Sequence, residues 1–150
     1  MSNIKLNNIF KTVCIASDHA GFDLKEDIKN YLINKKVSIF DLGPYSDHSV
    51  DYPDYAKKLS MRIKSKKSDA GILVCGSGTG MAISANKIRT IRAAVCYNLK
   101  STRLSRQHNN ANIIALGSRL TKKKLSLKLV DIFLKTKFEG GRHLRRVKKI

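Results

Sequence analysis

No stretch of this 150-residue chain stays apolar for anything near the roughly 20 residues of a membrane-spanning helix. Met1 to Lys11 are polar and Asn-rich and lack the apolar centre of a secretory leader, so a cytoplasmic protein is expected. Cysteine is scarce: Cys14, Cys75 and Cys96 are an odd number without C-x-x-C spacing, which excludes a disulfide framework and a zinc knuckle. No repeat, low-complexity linker or break in composition divides the chain, and its length suits a single domain spanning 1–150. Acidic residues are also few, 11 against 30 Lys and Arg, for a net charge of +19. Such an excess attracts polyanions, so a basic nucleic-acid-binding domain is the reading from another class. Yet 21 of the 30 cations are Lys, and Ile and Asn, whose codons are likewise A/T-rich, are plentiful too. The Lys pairs are scattered along the ends and outer faces of expected helices. A solvated surface tinted by codon bias is favoured over a nucleic-acid footprint.

What the chain has instead is alternation. Thr12 to Ala16 is short, apolar and β-branched and stops at Ser17-Asp18, the pattern of a buried strand. Leu24, Ile28 and Leu32, four apart, set a helix over Phe22 to Asn34. Val37 to Leu42 predicts a second strand, closed by Gly43-Pro44. Beyond a polar loop with Asp47, His48 and Asp51, Pro53 suits the first turn of a helix that buries Ala56, Leu59 and Ile63. Three more pairs follow: strand Ala70 to Cys75 with helix Thr79 to Lys87, strand Arg92 to Cys96 with helix Leu99 to Gln107, and strand Asn112 to Leu116 with helix Leu120 to Lys135. Phe138 to Ile150 reads as a basic tail and residues 1–11 as a flexible extension. Strict β-α alternation predicts an α/β fold: a doubly wound, Rossmann-like, five-stranded parallel sheet with helices on both faces, in a single domain.

In such a fold the site gathers at the carboxyl ends of the strands. Asp18 and His19 follow strand one, Gly76 to Gly80 strand three, and Gly117-Ser118-Arg119 strand five. His108 and Asn109 precede strand five, and would need a loop that folds back over the site. Asp18 could equally cap the first helix, and a lone histidine is usually just solvated; convergence on one rim favours function. In Gly76-Ser77-Gly78-Thr79-Gly80, three glycines alternate with small hydroxyl residues, so backbone N–H groups can converge on an anion beside the thiol of Cys75. A tight turn would account for one glycine, not three. The phosphate loop would need Lys where Met81 stands, and the dinucleotide G-x-G-x-x-G is not matched by G-x-G-x-G. A cysteine-phosphatase loop would need Arg at Met81. Cys14 and Cys96, inside apolar strands, read as packed thiols. His19, His48, His108 and His143 are dispersed without ligand spacing, so no metal is expected.

Five motifs carry a further implication. Ser17-Asp18-His19-Ala20-Gly21, Asp51-Tyr52-Pro53-Asp54-Tyr55-Ala56, Gly71-Ile72-Leu73-Val74-Cys75-Gly76-Ser77-Gly78, Ser105-Arg106-Gln107-His108-Asn109 and Glu139-Gly140-Gly141-Arg142-His143 run in this order through nearly the whole chain. Together they resemble the type B ribose-5-phosphate isomerases, a family that includes allose- and galactose-6-phosphate isomerases. The resemblance implies aldose–ketose isomerisation of ribose 5-phosphate and ribulose 5-phosphate through an enediolate, in the non-oxidative pentose phosphate pathway, with no cofactor. It makes Cys75 the general base and the backbone N–H groups of Gly76 to Gly80 the anion hole. Ser77, where many members have Thr, keeps the hydroxyl. His108 becomes the ring-opening acid/base and Asn109 a sugar contact. Asp18, His19 and, more weakly, Tyr52 bind substrate with Gly76, Gly78, Thr79 and Gly80. Arg119, Arg142 and Arg146, helped by His143, bind phosphate. Arg142 and Arg146 stand four apart, on one helical face. A homodimer is also implied, its C-terminal segment crossing to complete the neighbour's site, or a dimer of dimers. A six-carbon sugar phosphate is the alternative substrate, because pocket depth rather than motif decides between them.

Overall fold

A computed structural model describes residues 5–150 of the chain. Along the chain run β1 (Val13–Ser17), α1 (Phe22–Asn34), β2 (Ile39–Asp41), α2 (Tyr52–Lys64), β3 (Ala70–Cys75), α3 (Thr79–Asn86), β4 (Ala93–Val95), α4 (Leu99–Gln107), β5 (Ile113–Gly117), α5 (Lys123–Lys135) and α6 (Arg142–Val147). The strands form one sheet in the order β2-β1-β3-β5-β4, and every pairing is parallel. The alternation thus produced the predicted single-domain α/β fold. No helix among the described residues is long and apolar enough to cross a membrane.

Because successive strand residues point to opposite faces, each central strand feeds two cores. Val13, Ile15, Ile72, Val74, Ile114 and Leu116 pack with Leu24, Ile28 and Phe133 of α1 and α5. Cys14, Leu73, Cys75, Ile113 and Ala115 pack on the other face with Leu59, Ile63, Met81 and Ala85 of α2 and α3. The central strands are buried throughout, each fully buried aliphatic side chain contributing roughly 1.5–3 kcal/mol. The chain reverses direction across the sheet between β1 and β3, and the loops after these two strands open into a crevice at their carboxyl ends.

Differences from expectation lie at element ends. The outer strands β2 and β4 have three residues each, since at the sheet margin fewer neighbours hold them in register. The last long helix starts at Lys123 rather than Leu120, because Thr121 donates its N–H to the Gly117 carbonyl in a turn. The basic tail contains a helix, α6. Residues 5–11 are not loose: Leu6 donates to the Lys35 carbonyl, Ile9 to that of Leu134, and Phe10 stacks on Phe133 with centroids 6.3 Å apart. Their apolar side chains, spaced by Asn, had a core to join. The remainder of that expected extension lies outside the described residues.

Candidate active site

Cys75 ends β3 and is 4% exposed. The chain then turns through Gly76-Ser77-Gly78, and Gly78, with φ 79°, takes the left-handed conformation that favours glycine. That turn brings the Gly78 N–H to 3.0 Å from the Cys75 sulfur, a hydrogen bond a thiolate accepts better than a thiol. Directly beyond it α3 begins, so its unpaired N–H groups and positive end also face the loop. Thr79 N–H donates to Ser77 Oγ at 3.3 Å, and the Tyr97 hydroxyl to the Ser77 carbonyl. The other two thiols differ: burial pushes Cys14 up to about 11 and also raises Cys96. They are packing groups.

The cleft in front of Cys75 has a volume of ≈ 380 Å³ and is lined by Asp18, Tyr52, Arg119 and Leu120 together with Cys75, Gly76, Ser77 and Gly80. Asp18, 7% exposed, accepts the Gly21 N–H at 2.9 Å, so it braces the entry to α1 while lining the cleft. Tyr52 opens α2 and lies so close to Gly80 that a Cβ there would stand 2.7 Å from its ring. Arg119 donates its N–H to the Gly76 carbonyl, and its guanidinium lies against Gly76. His19 is exposed at the rim, where its Nδ1 accepts the Val50 N–H at 3.2 Å. Leu120 is the cleft residue that sequence reasoning missed; its place after Gly117-Ser118-Arg119 was the available signal.

His108 and Asn109 are elsewhere. No loop folds them back over Cys75. A helix following a parallel strand must return to the sheet's amino edge, and α4 does so. His108 caps its carboxyl end, and Asn110 receives Arg92 Nε just ahead of β4. In register, β5 starts beside Gly71 and ends beside Cys75, so about 13 Å of strand separates the two edges. Asn109 lines a different, more apolar cavity with Ile91, Ala111 and Ile150.

The tail joins His108 there. Glu139 donates its N–H to the Gln107 carbonyl, which brings α6 against the end of α4. The rings of His108 and His143 stack with centroids 4.1 Å apart and 12° between planes. Glu139 Oε2 lies 3.9 Å from His108 Nε2 and 3.6 Å from His143 Nε2. Desolvation, then electrostatic repulsion from the His108 and Arg142 side, holds His143 below the ordinary histidine range, with Arg146 adding and Glu139 opposing. Two of the four histidines dispersed in sequence, His108 and His143, are therefore adjacent in space. Glu139 was present in the motif that opens α6 but carried no predicted role.

Beneath this edge, buried Arg106 is fixed without a carboxylate from among the described residues. Its guanidinium lies 4.8 Å over Phe10 and 5.6 Å over Phe133. It donates to the carbonyls of Thr136 and Ala111.

A family model described as Ribose/Galactose Isomerase matches residues 13–150. The chain belongs to the ribose/galactose isomerase family. It is 42% identical to ribose-5-phosphate isomerase B of Escherichia coli over 140 residues, 93% of this chain and 94% of that one. A crystal structure of a ribose 5-phosphate isomerase from Thermotoga maritima has a TM-score of 0.90 and 54% identity, covering 92% of this chain and 95% of that one. The Mycoplasma genitalium ribose-5-phosphate isomerase B with bound ribulose-5-phosphate has a TM-score of 0.87 and 44% identity, over 92% of each chain. This member of the family carries two clusters of candidate functional side chains, one at each edge of the sheet.

Proposed function

We propose that this protein interconverts ribose 5-phosphate and ribulose 5-phosphate through an enediolate, in the cytoplasm and in the non-oxidative pentose phosphate pathway. One observation carries the reading: a thiol hydrogen-bonded by Gly78 N–H sits under a glycine loop at a helix N-terminus, in a cleft of ≈ 380 Å³, the size of a small-molecule site. The ribulose 5-phosphate bound by the Mycoplasma genitalium relative supports the five-carbon substrate.

In the open-chain aldose, Cys75 thiolate takes the C2 proton. The C–H electron pair forms the C1–C2 double bond and the carbonyl pair moves to O1, giving the enediolate. Backbone N–H groups of Gly76 to Gly80 stabilise that charge, which exists only along the reaction path. The O2 hydroxyl proton passes to O1, and the thiol then returns its proton to C1 as the electron pair on O2 closes the C2 carbonyl. Asp18, His19, Tyr52, Ser77 and Thr79 orient the sugar, and Arg119 meets an anionic oxygen.

His108 carries the proton between the anomeric hydroxyl and the ring oxygen, Asn109 contacts the sugar, and Arg142, His143 and Arg146 hold the phosphate. These residues lie across the sheet from Cys75 in the same chain, so they serve the Cys75 cleft of a second copy. A two-fold dimer makes the exchange reciprocal and yields two composite sites. The exposed Ile83, Tyr97 and Leu144 are apolar surface that such a dimer would cover.

A coupled assay with ribose 5-, allose 6- and galactose 6-phosphate side by side tests the substrate. Turnover confined to ribose 5-phosphate is expected, falling only mildly with salt. A preference for a six-carbon sugar moves the assignment within the family, and turnover of none of them sinks it.

A further inference from the structure

Residues 5–11 precede the stretch that the family model matches, and no role falls to them in the function proposed above. Yet the chain is fixed on both sides of Phe10. Asn8 accepts the Phe10 N–H at 2.9 Å and donates to its carbonyl at 2.8 Å, a local clasp on the backbone. Just beyond, the N–H groups of Lys11 and Thr12 each donate to Asp69 Oδ2 at 3.0 Å. What this anchoring presents is the Phe10 ring, which stacks on Phe133 and lies 4.8 Å from the Arg106 guanidinium.

Arg106 is 3% exposed, and among the described residues no carboxylate pairs with it. An aromatic face is a substitute, since its electron density attracts a cation, most strongly one removed from water. Phe133 is fully buried and Phe10 only partly, so Phe10 is the outer of the two rings that meet the guanidinium. The fork of Arg106 is spent on the chain around His108. Nη1 donates to Asn110 Oδ1 at 3.1 Å and to the Ala111 carbonyl, and Nε to the Thr136 carbonyl at 3.1 Å. Asn110, with φ 47°, takes the left-handed conformation, so the chain turns sharply just after His108-Asn109. Thr136 caps α5 and stands three residues before Glu139, whose N–H meets the Gln107 carbonyl. One guanidinium thus joins the turn after Asn109 to the root of the segment that carries α6.

We propose that residues 5–11 are a strap that positions His108 and Asn109 for ring opening: Phe10 seals the Arg106 guanidinium, and Arg106 holds the turn after Asn109 against the root of α6. The role rests on the function proposed above; Phe10 and Arg106 are positioning residues and touch no substrate.

The test uses the full-length protein with Phe10→Ala, Phe10→Tyr, which keeps the ring face, and Arg106→Lys, which keeps a charge but loses the fork. In Phe10→Ala, amide hydrogen exchange read by mass spectrometry should quicken on the order of tenfold over residues 107–111 and 139–147. Residues 75–80 should keep their wild-type protection. Unchanged exchange in Phe10→Ala overturns the strap, and so does equal loosening of residues 75–80, which would make Phe10 a general core residue. Turnover of cyclic ribose 5-phosphate should fall on the order of tenfold in Phe10→Ala and Arg106→Lys and stay near wild type in Phe10→Tyr. Exchange of the ribulose 5-phosphate C1 hydrogen with heavy water, at saturating substrate, should be spared in all three. Equal loss of both reactions, or no loss of either while the segments loosen, overturns the positioning role. If the wild type turns over none of the sugar phosphates, the function proposed above fails by itself, and the hydrogen exchange still decides whether Phe10 holds the turn.

Discussion

The two edges of the sheet solve different problems with different parts of the chain. At the carboxyl edge the working groups are largely backbone: N–H groups of a glycine turn, a helix N-terminus and one thiol held at 3.0 Å from Gly78 nitrogen. At the amino edge they are side chains, two stacked histidines, Asn109 and the arginines of α6. On the function proposed above, the first arrangement faces charge that appears during reaction, and the second, cationic one faces groups the substrate always carries. Their supports differ too. Fully buried Lys25 and its neighbour Lys29 grip Asp41 at the end of β2, and Asp41 accepts Gly43 N–H in the loop that follows. Arg106 braces the amino edge through rings and carbonyls, with no acid from among the described residues. Rate should therefore depend on the carboxyl edge, and substrate form and phosphate on the amino edge.

The largest effect expected is that of Cys75→Ala. Loss of general-base catalysis is worth roughly 10²- to 10⁴-fold, so turnover should fall by that much while calorimetric affinity for ribose 5-phosphate barely changes. A near-normal rate would assign the base elsewhere. His108→Asn should cost roughly 10²-fold on cyclic ribose 5-phosphate. It should spare exchange of the ribulose 5-phosphate C1 hydrogen with heavy water, which needs only Cys75. Equal loss of both reactions would erase the distinction between the edges.

Mixing the edges gives a smaller, sharper signal. Cys75→Ala and Arg146→Ala homodimers should both be nearly inactive. Co-refolded in equal amounts they form about half mixed dimers, each with one intact site, so activity should recover to about a quarter of wild type. If mass spectrometry shows mixed dimers and activity stays at the parents' level, Arg146 serves its own chain.

The smallest effect concerns the supports. Burial alone would raise Asp41 and Glu26, but the hydrogen bonds from Lys25 and Lys29 outweigh it and hold both below the ordinary carboxylate range. Groups lowered in the folded state contribute stability that is present above their unfolded values, about 4, and is lost as pH falls through the folded ones. Acidification from pH 7 to below about 4 should therefore raise hydrogen exchange around β2 and Gly43 before α4. Arg106, pushed down to about 10 by burial and then by Arg92, stays charged throughout that window. In Lys25→Met the same acid step should change the exchange less. Simultaneous loosening of both edges would show that the two supports are not independent.

Much of one edge was legible in the sequence and little of the other. Val13–Ser17 and Ala70–Cys75 are apolar runs bounded by turn residues, and a loop attached to a buried strand goes where the strand points. Asp18, the Gly76 to Gly80 turn and Arg119 could thus be assembled on one rim from local pattern alone. His108 could not, since its position depends on which way α4 runs and which edge that helix returns to. The resemblance supplied a role for His108 but no location, and the folded-back loop expected for it is absent.

Hydrophobic periodicity and turn residues determined the elements and the nest beside Cys75, because these act within a turn or strand, and the strict alternation of the elements then implied a parallel sheet. Tertiary structure decided the strand order β2-β1-β3-β5-β4, the docking of Leu6 and Phe10, and the meeting of His108, Glu139 and His143. Each of those joins segments distant in the chain. Such contacts are selected by how whole faces bury against one another, and no local spacing encodes that.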